Sequence, residues 1–157
     1  MTKEKLYRKG VSALILNDKN EILLVNLQSF DKEYYAIPGG GIDKGETEED
    51  AAYREIKEEL NIDKEFLEEV GKSDNPLRLL FKSGKLKRDG VEYDGMERIF
   101  FGFRFKGKNE DIKCQEEEVR QYKWVAFDEL NKYLLFENQL EDTVEKLIEI
   151  FSEFKKW

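Results

Sequence analysis

The chain has 157 residues, a formal net charge of −8, no histidine and one cysteine. The lack of histidine excludes Ser-His-Asp and Cys-His catalysis and the usual His-rich zinc sites, and the single cysteine excludes an internal disulfide. The acidity argues against a general nucleic-acid binder, while 39% hydrophobic and 13% aromatic residues are enough to build a packed core.

The length suits one domain over 1–157. Residues 1–5 have no apolar run behind them, and no stretch is long enough for a membrane span, so a cytoplasmic protein is expected. Residues 11–16 and 21–27 read as two strands of a hairpin joined by Asp18, Lys19 and Asn20. Residues 29–33 read as a loop, and Tyr35, Ala36 and Ile37 as a short extended stretch held out of helix by Pro38. Gly39, Gly40 and Gly41 suggest a flexible turn.

Residues 46–60 carry a strong helical signal. Thr47 is placed as the N-cap, acidic residues fill the first turn, and Ala51, Ala52, Ile56 and Leu60 fall on one apolar stripe. Asn61 follows as a residue that tolerates a left-handed cap. Strands are expected over 66–70, 77–81, 98–105 and 121–126, with a basic loop over 82–94. Asp128, Glu129 and Leu130 begin a short helix, and residues 140–154 form an amphipathic terminal helix. Strands and helices mix without regular alternation, which favours an α+β fold or mixed-sheet sandwich over a doubly wound one.

The chemistry concentrates in residues 40–62. Glu55, Glu58 and Glu59 stand at i, i+3 and i+4 and share one helix face, where like charges repel. Either water or a hard divalent cation must offset that repulsion. An acidic helix face is most often just solvated surface, so these three residues alone decide nothing. The surrounding spacing is far more specific. Gly40 is followed by five residues and Glu46, then seven residues and the run Arg54-Glu55-Ile56-Lys57-Glu58-Glu59, closed by Leu60, Asn61 and Ile62.

This segment resembles the box of the Nudix hydrolase family, G-x5-E-x7-R-E-U-x-E-E-x-G-U with U a bulky aliphatic. Only Asn61 departs, standing where the second glycine would be. The resemblance implies an α/β/α sandwich around a mixed central sheet and a Mg²⁺- or Mn²⁺-dependent hydrolase acting on a diphosphate linkage. It implies Glu55, Glu58, Glu59 and the Gly40 carbonyl as metal ligands, with Arg54 paired to Glu46 and orienting the carboxylates. Glu55 or a Glu of the later run Glu116-Glu117-Glu118, foremost Glu118, would serve as base for water attack on phosphorus. Gly39, Gly40, Gly41, Tyr35 and Arg98 would meet the substrate, with Tyr34, Tyr35 and Phe100 as candidate stacking partners for a base and Lys82, Lys85, Lys87 and Arg88 as candidate contacts for a polyphosphate tail.

Further segments are similar to the diadenosine polyphosphate hydrolases and RNA 5′-pyrophosphohydrolases: residues 7–11, Gly41-Ile42-Asp43, residues 95–101, and the stretch from Glu118 to Trp124 and Phe136. They imply a dinucleoside polyphosphate, an RNA 5′-triphosphate end or a nucleoside triphosphate as substrate. Two departures bear on this: Gly39 replaces the Gln of P-Q-G-G, and Glu137 replaces a Lys. They keep open a mononucleotide-sanitising enzyme of the 8-oxo-dGTP type, and the fold also serves non-catalytic nucleotide-binding modules. Family members are often dimers, so a homodimer is an expectation; no membrane partner is.

Overall fold

The computed structural model describes residues 4–81 and 84–155. Nine strands are present among them: β1 (Tyr7–Leu16), β2 (Ile22–Leu27), β3 (Gly39–Gly41), β4 (Leu67–Lys72), β5 (Leu77–Leu80), β6 (Leu86–Arg88), β7 (Val91–Tyr93), β8 (Gly95–Phe105) and β9 (Val119–Val125). Two α-helices, α1 (Glu48–Leu60) and α2 (Gln139–Ile150), complete the frame together with short 3-10 turns. Seven strands form a mixed sheet in the order β4-β8-β1-β2-β9, with β3 added to β1 and β5 to β8. The central pair, β1 and β8, is parallel from Tyr7↔Gly95 to Leu16↔Arg104, and the other pairings are antiparallel.

Strand alternation divides β1 between two cores. Val11, Ala13 and Ile15 pack with Ala51, Ala52, Ile56 and Leu60 of α1 on one face. Leu14 and Leu16 pack with Leu147 of α2, Phe151 and Phe154 on the other. This is the expected α/β/α sandwich. Because both faces are covered, β1 reads as a continuous apolar run. Ile56 and Leu60 are fully buried, and each such side chain contributes about 1.5–3 kcal/mol.

Several expectations shift. β1 starts at Tyr7 rather than Val11, because polar Tyr7, Arg8 and Lys9 find ladder partners on β8. The three glycines are not a loose turn but strand β3, paired Gly10↔Gly41, Val11↔Gly40 and Ser12↔Gly39. They fill a gap: β1 and β2 pair at Leu16↔Ile22 and then diverge, so residues 36–41 wedge between them, with Ala36 bridging Val25 and the Ala13 amide donating to the Pro38 carbonyl at 2.8 Å. The basic loop contains the hairpin β6–β7. Its turn, Asp89-Gly90, has positive φ at both residues (50° and 78°), and that Asp-Gly pair was the available hairpin signal. The terminal helix ends at Ile150; Phe151 is extended at φ −108° and ψ 116°, and a 3-10 turn, Ser152–Phe154, follows.

Candidate active site

Helix α1 begins where the Thr47 hydroxyl accepts the Asp50 amide at 3.1 Å. It stops at Asn61, which is left-handed at φ 55° and donates its amide N–H to the Lys57 carbonyl. The Asn61 side chain also donates to the Lys113 carbonyl at 2.6 Å. These two ends fix which residues α1 turns toward β3.

Glu59 is turned inward and is only 5% exposed. One carboxylate oxygen, Oε1, accepts the backbone amide of Gly39 at 3.1 Å. The other, Oε2, is buried with no hydrogen-bond partner. Burial pushes the Glu59 carboxyl up to about 8, against the Gly39 hydrogen bond, which lowers it, and with further upward pressure from the Glu55 charge. Glu55 stands above its ordinary value for the same reason, burial, offset by Arg54. The Glu55 carboxylate fills the place of an absent side chain: a Cβ on Gly40 would lie 2.4–2.6 Å from it.

Arg54 organises the acids. Its Nε and Nη2 donate to Glu46 at 2.7 and 2.9 Å, Nη2 also donates to the Gly41 carbonyl at 2.8 Å, and Nη1 donates to Glu55 at 3.0 Å and Glu58 at 3.2 Å. The hydrogen bond from Arg54 holds the Glu46 carboxyl below its ordinary value. Glu58, with a side chain 54% exposed, is thereby drawn away from the inward-turned Glu59. The three box acids do not converge as they stand, and among the described residues no group of three His, Cys, Asp or Glu side chains is gathered tightly enough to hold a metal ion.

Arg98 lies on the opposite side of β3. It donates to the Ser12 hydroxyl at 3.1 Å and the Val11 carbonyl at 3.2 Å, and its charge favours ionised Glu59 and Glu55. A Cβ on Gly39 would lie 2.1 Å from the Val11 carbonyl oxygen and 3.0 Å from the Arg98 guanidinium. This backbone therefore has no room for the Gln expected from the resembling group. Glu118 is exposed on the turn after Gln115, a turn joined to α1 where the Gln115 amide donates to the Glu59 carbonyl at 2.9 Å, and its charge helps raise Glu59.

Two aromatic candidates are corrected. Tyr35 is 4% exposed in the core on the α2 side, its hydroxyl accepting from Gln121 and its ring edge-on to Tyr133. Phe100 is 5% exposed in the same core. Packing has claimed both rings, and neither offers a face to a substrate. Tyr34 is instead stacked on Phe136, 4.7 Å between centroids, with Phe30 edge-on at 5.0 Å, a grouping that sequence spacing could not reveal. Of the basic candidates, Lys85 pairs with Asp94 at 3.6 Å, Lys87 and Arg88 are exposed on β6, and Lys82 lies outside the described residues.

A family model described as the NUDIX domain matches residues 6–147, and the chain belongs to the Nudix family. The RNA pyrophosphohydrolase of Pelagibacter ubique (strain HTCC1062) is 33% identical over 129 residues, covering 78% of each chain. That of Orientia tsutsugamushi (strain Boryong) is 32% identical over 154 residues, covering 92% of this chain and 91% of its own. Within its family the chain is a Nudix pyrophosphohydrolase, an enzyme of diphosphate hydrolysis. Solved structures share the fold. The C. elegans Ap4A hydrolase in binary complex has TM-score 0.65 at 23% identity, covering 94% of this chain and 98% of that one. The E. coli dihydroneopterin triphosphate pyrophosphohydrolase has TM-score 0.70 at 20% identity, covering 92% and 99%. No helix among the described residues is long and apolar enough to cross a membrane.

Proposed function

We propose that the chain, as a single domain, is a Mg²⁺- or Mn²⁺-dependent hydrolase of nucleoside polyphosphates, with an RNA 5′-triphosphate end or a dinucleoside polyphosphate as substrate. The observation that carries the reading is Glu59 Oε2, a buried carboxylate oxygen without a partner, inside the family's box and beside Glu55. A buried carboxylate is costly unless something compensates it, and an all-oxygen donor set suits a hard divalent cation. Glu55, Glu59 and the Gly40 carbonyl would hold it, joined by Glu58 once that side chain leaves Arg54. The ion would supply charge neutralisation at the diphosphate and a lowered pKa for the attacking water.

The chain's own residues do the rest. Arg54 holds Glu55 and Glu58 in reach of one another while tying the Gly41 carbonyl to the helix. Arg98 lends positive charge from behind β3. Glu118 would take a proton from water, with Glu55 as the second candidate; the turn of Glu118 is bonded to the end of α1 through the Gln115 amide and the Glu59 carbonyl at 2.9 Å, which supports that role. The cluster of Phe30, Tyr34 and Phe136 is the surface offered to a nucleobase, since Phe136 keeps 44% of its area exposed.

The relatives named as RNA pyrophosphohydrolases support the RNA end. The test is a product-resolved screen with each metal against triphosphorylated RNA, diadenosine polyphosphates, nucleoside triphosphates and 8-oxo-dGTP. Cleavage of RNA ends or dinucleotides upholds the proposal, and cleavage of mononucleotides alone replaces it with the sanitising reading.

A further inference from the structure

Asn26 is a polar residue at a core position. It is 0% exposed, one residue from the end of the apolar strand β2, where the pattern calls for another aliphatic. All its hydrogen-bonding capacity is directed at one place. Its Nδ2 donates to the Asp31 carbonyl at 3.1 Å and the Tyr34 carbonyl at 2.6 Å, and its Oδ1 accepts from Arg120 Nη1. Both Arg120 Nη atoms reach the Phe30 carbonyl at 3.3 Å. Three carbonyls of one loop, 30, 31 and 34, are thus held from below by two side chains of neighbouring strands. The β2–β9 register also slips between Asn26 and Leu27, so the strand is bent where the loop departs.

That loop carries Phe30 and Tyr34 against Phe136, around a shallow cavity of ≈380 Å³. It is also tied to the acidic turn. The Gln28 amide donates to the Glu118 carbonyl at 2.8 Å, and Gln28 Nε2 donates to the Glu116 carbonyl at 2.9 Å. The near end of the loop is thus held to the Glu118 turn by Gln28 alone, while Asn26 and Arg120 hold the part that carries Phe30 and Tyr34.

We infer that Asn26 and Arg120 are positioning residues for substrate specificity: they lock the 28–34 loop so that the planar ring of a nucleotide is seated at a fixed distance from the diphosphate site. The inference rests on the nucleoside polyphosphate reading above. A buried Asn that served only the core could satisfy its amide on β2 and β9 themselves. Among the described residues, this side chain bonds only to the loop and to the arginine that grips it.

The experiment compares Asn26→Asp and Arg120→Lys with the parent on two substrates, GTP and methyl triphosphate, which has the anhydrides but no ring. Asn26→Asp keeps the acceptor for Arg120 and removes both donors to the loop, and Arg120→Lys is the milder variant should the first fail to fold. The expected result is a KM for GTP raised about ten-fold or more, with kcat little changed and methyl triphosphate hydrolysed as by the parent. Equal losses on both substrates, or no loss on either, would overturn the inference. If the parent cleaves neither compound, the hydrolase reading is decided by the substrate screen above, and the clamp is tested on its structure. The clamp is then judged by the nuclear Overhauser contact between the Tyr34 and Phe136 rings: its loss in Asn26→Asp upholds the clamp, and its survival overturns it.

Discussion

The Gly39 backbone amide donates to Glu59 Oε1 at 3.1 Å, and this bond joins the glycine strand to the acidic helix. It satisfies half of a buried carboxylate and leaves Oε2 without a partner. The strain of that arrangement is measurable. Burial raises the Glu59 carboxyl from 4.5 in the unfolded chain to about 8. Below the lower value both states are protonated and nothing is lost. Between the two, the folded protein keeps a proton that the unfolded chain releases, so stability falls as pH rises and the loss is complete above the higher value. Glu59→Gln is therefore expected to stabilise the protein in EDTA at pH 7–8 by on the order of 2–3 kcal/mol, and to have no such effect near pH 4. The same variant is expected to lose about 100-fold or more of its activity in Mg²⁺. Thermal melts across pH, with and without chelator, check the first part, and turnover checks the second.

Gly40 and Gly39 should fail in different ways. A methyl at Gly40 meets the mobile end of Glu55, at 2.4–2.6 Å. Gly40→Ala is thus expected to fold with a melting temperature near that of the parent while kcat falls roughly 10–100-fold, because the Glu55 carboxylate, a ligand in the proposed function, has been displaced. A methyl at Gly39 meets the Val11 carbonyl at 2.1 Å, which is backbone in the central sheet. Gly39→Ala should cost about 1–3 kcal/mol or more in stability. Denaturant midpoints and kinetics on the pair separate the two effects.

The Arg54–Glu46 pair predicts a pH dependence of the opposite sign. The Glu46 carboxyl lies below its ordinary 4.5, chiefly through the hydrogen bond from Arg54. Its contribution is present above pH 4.5 and is lost as pH falls through the lowered folded value. Glu46→Gln should cost about 1–3 kcal/mol at pH 7, and the difference from the parent should close in acid. Urea titrations at several pH values read this out.

Asn61 is the one departure from the family's box, and its substitution tests why the departure is tolerated. Asn61→Ala forfeits the side-chain bond to Lys113 and leaves at a left-handed position a residue that tolerates it less well than asparagine, at an expected cost of about 1–2 kcal/mol. Asn61→Gly relieves the backbone but loses the same bond, so its net effect should lie within about 1 kcal/mol of zero. Thermal denaturation of both variants is the check.

The legible part of this protein was its periodic part. Thr47, Ala51, Ala52, Ile56, Leu60 and Asn61 announced a helix with both caps, and the structure has it over Glu48–Leu60. The alternation in β1 was hidden because both faces are buried, but its apolar run still marked a strand. The glycines were misread because glycine has two uses. Sequence alone suggests a turn, whereas here three in a row let a strand lie against Val11, Glu55 and the Arg8 guanidinium at distances no Cβ would permit. The aromatic cluster of Phe30, Tyr34 and Phe136 was invisible because Phe136 lies more than a hundred residues from the other two and meets them only through tertiary packing. Glu58 facing Arg54 rather than Glu59 is likewise a competition between partners, and spacing along a helix cannot decide it.

The parallel register of β1 with β8 has a kinetic meaning. The longest ladder of β1, Tyr7↔Gly95 to Leu16↔Arg104, is supplied only after some ninety further residues, as in the contact of Leu6 with Asp94 at a separation of 88. On a ribosome, β1 at first has only the hairpin end with β2 and then strand β3 to pair with. β3 and α1 can add to one edge and one face soon after, but the edge that pairs with β8 stays open until β8 emerges, and the face bearing Leu14 and Leu16 waits longer still, for α2. Folding of this chain is therefore governed by one long loop closure, and the interval before that closure is when nascent copies are most exposed to sticking to one another.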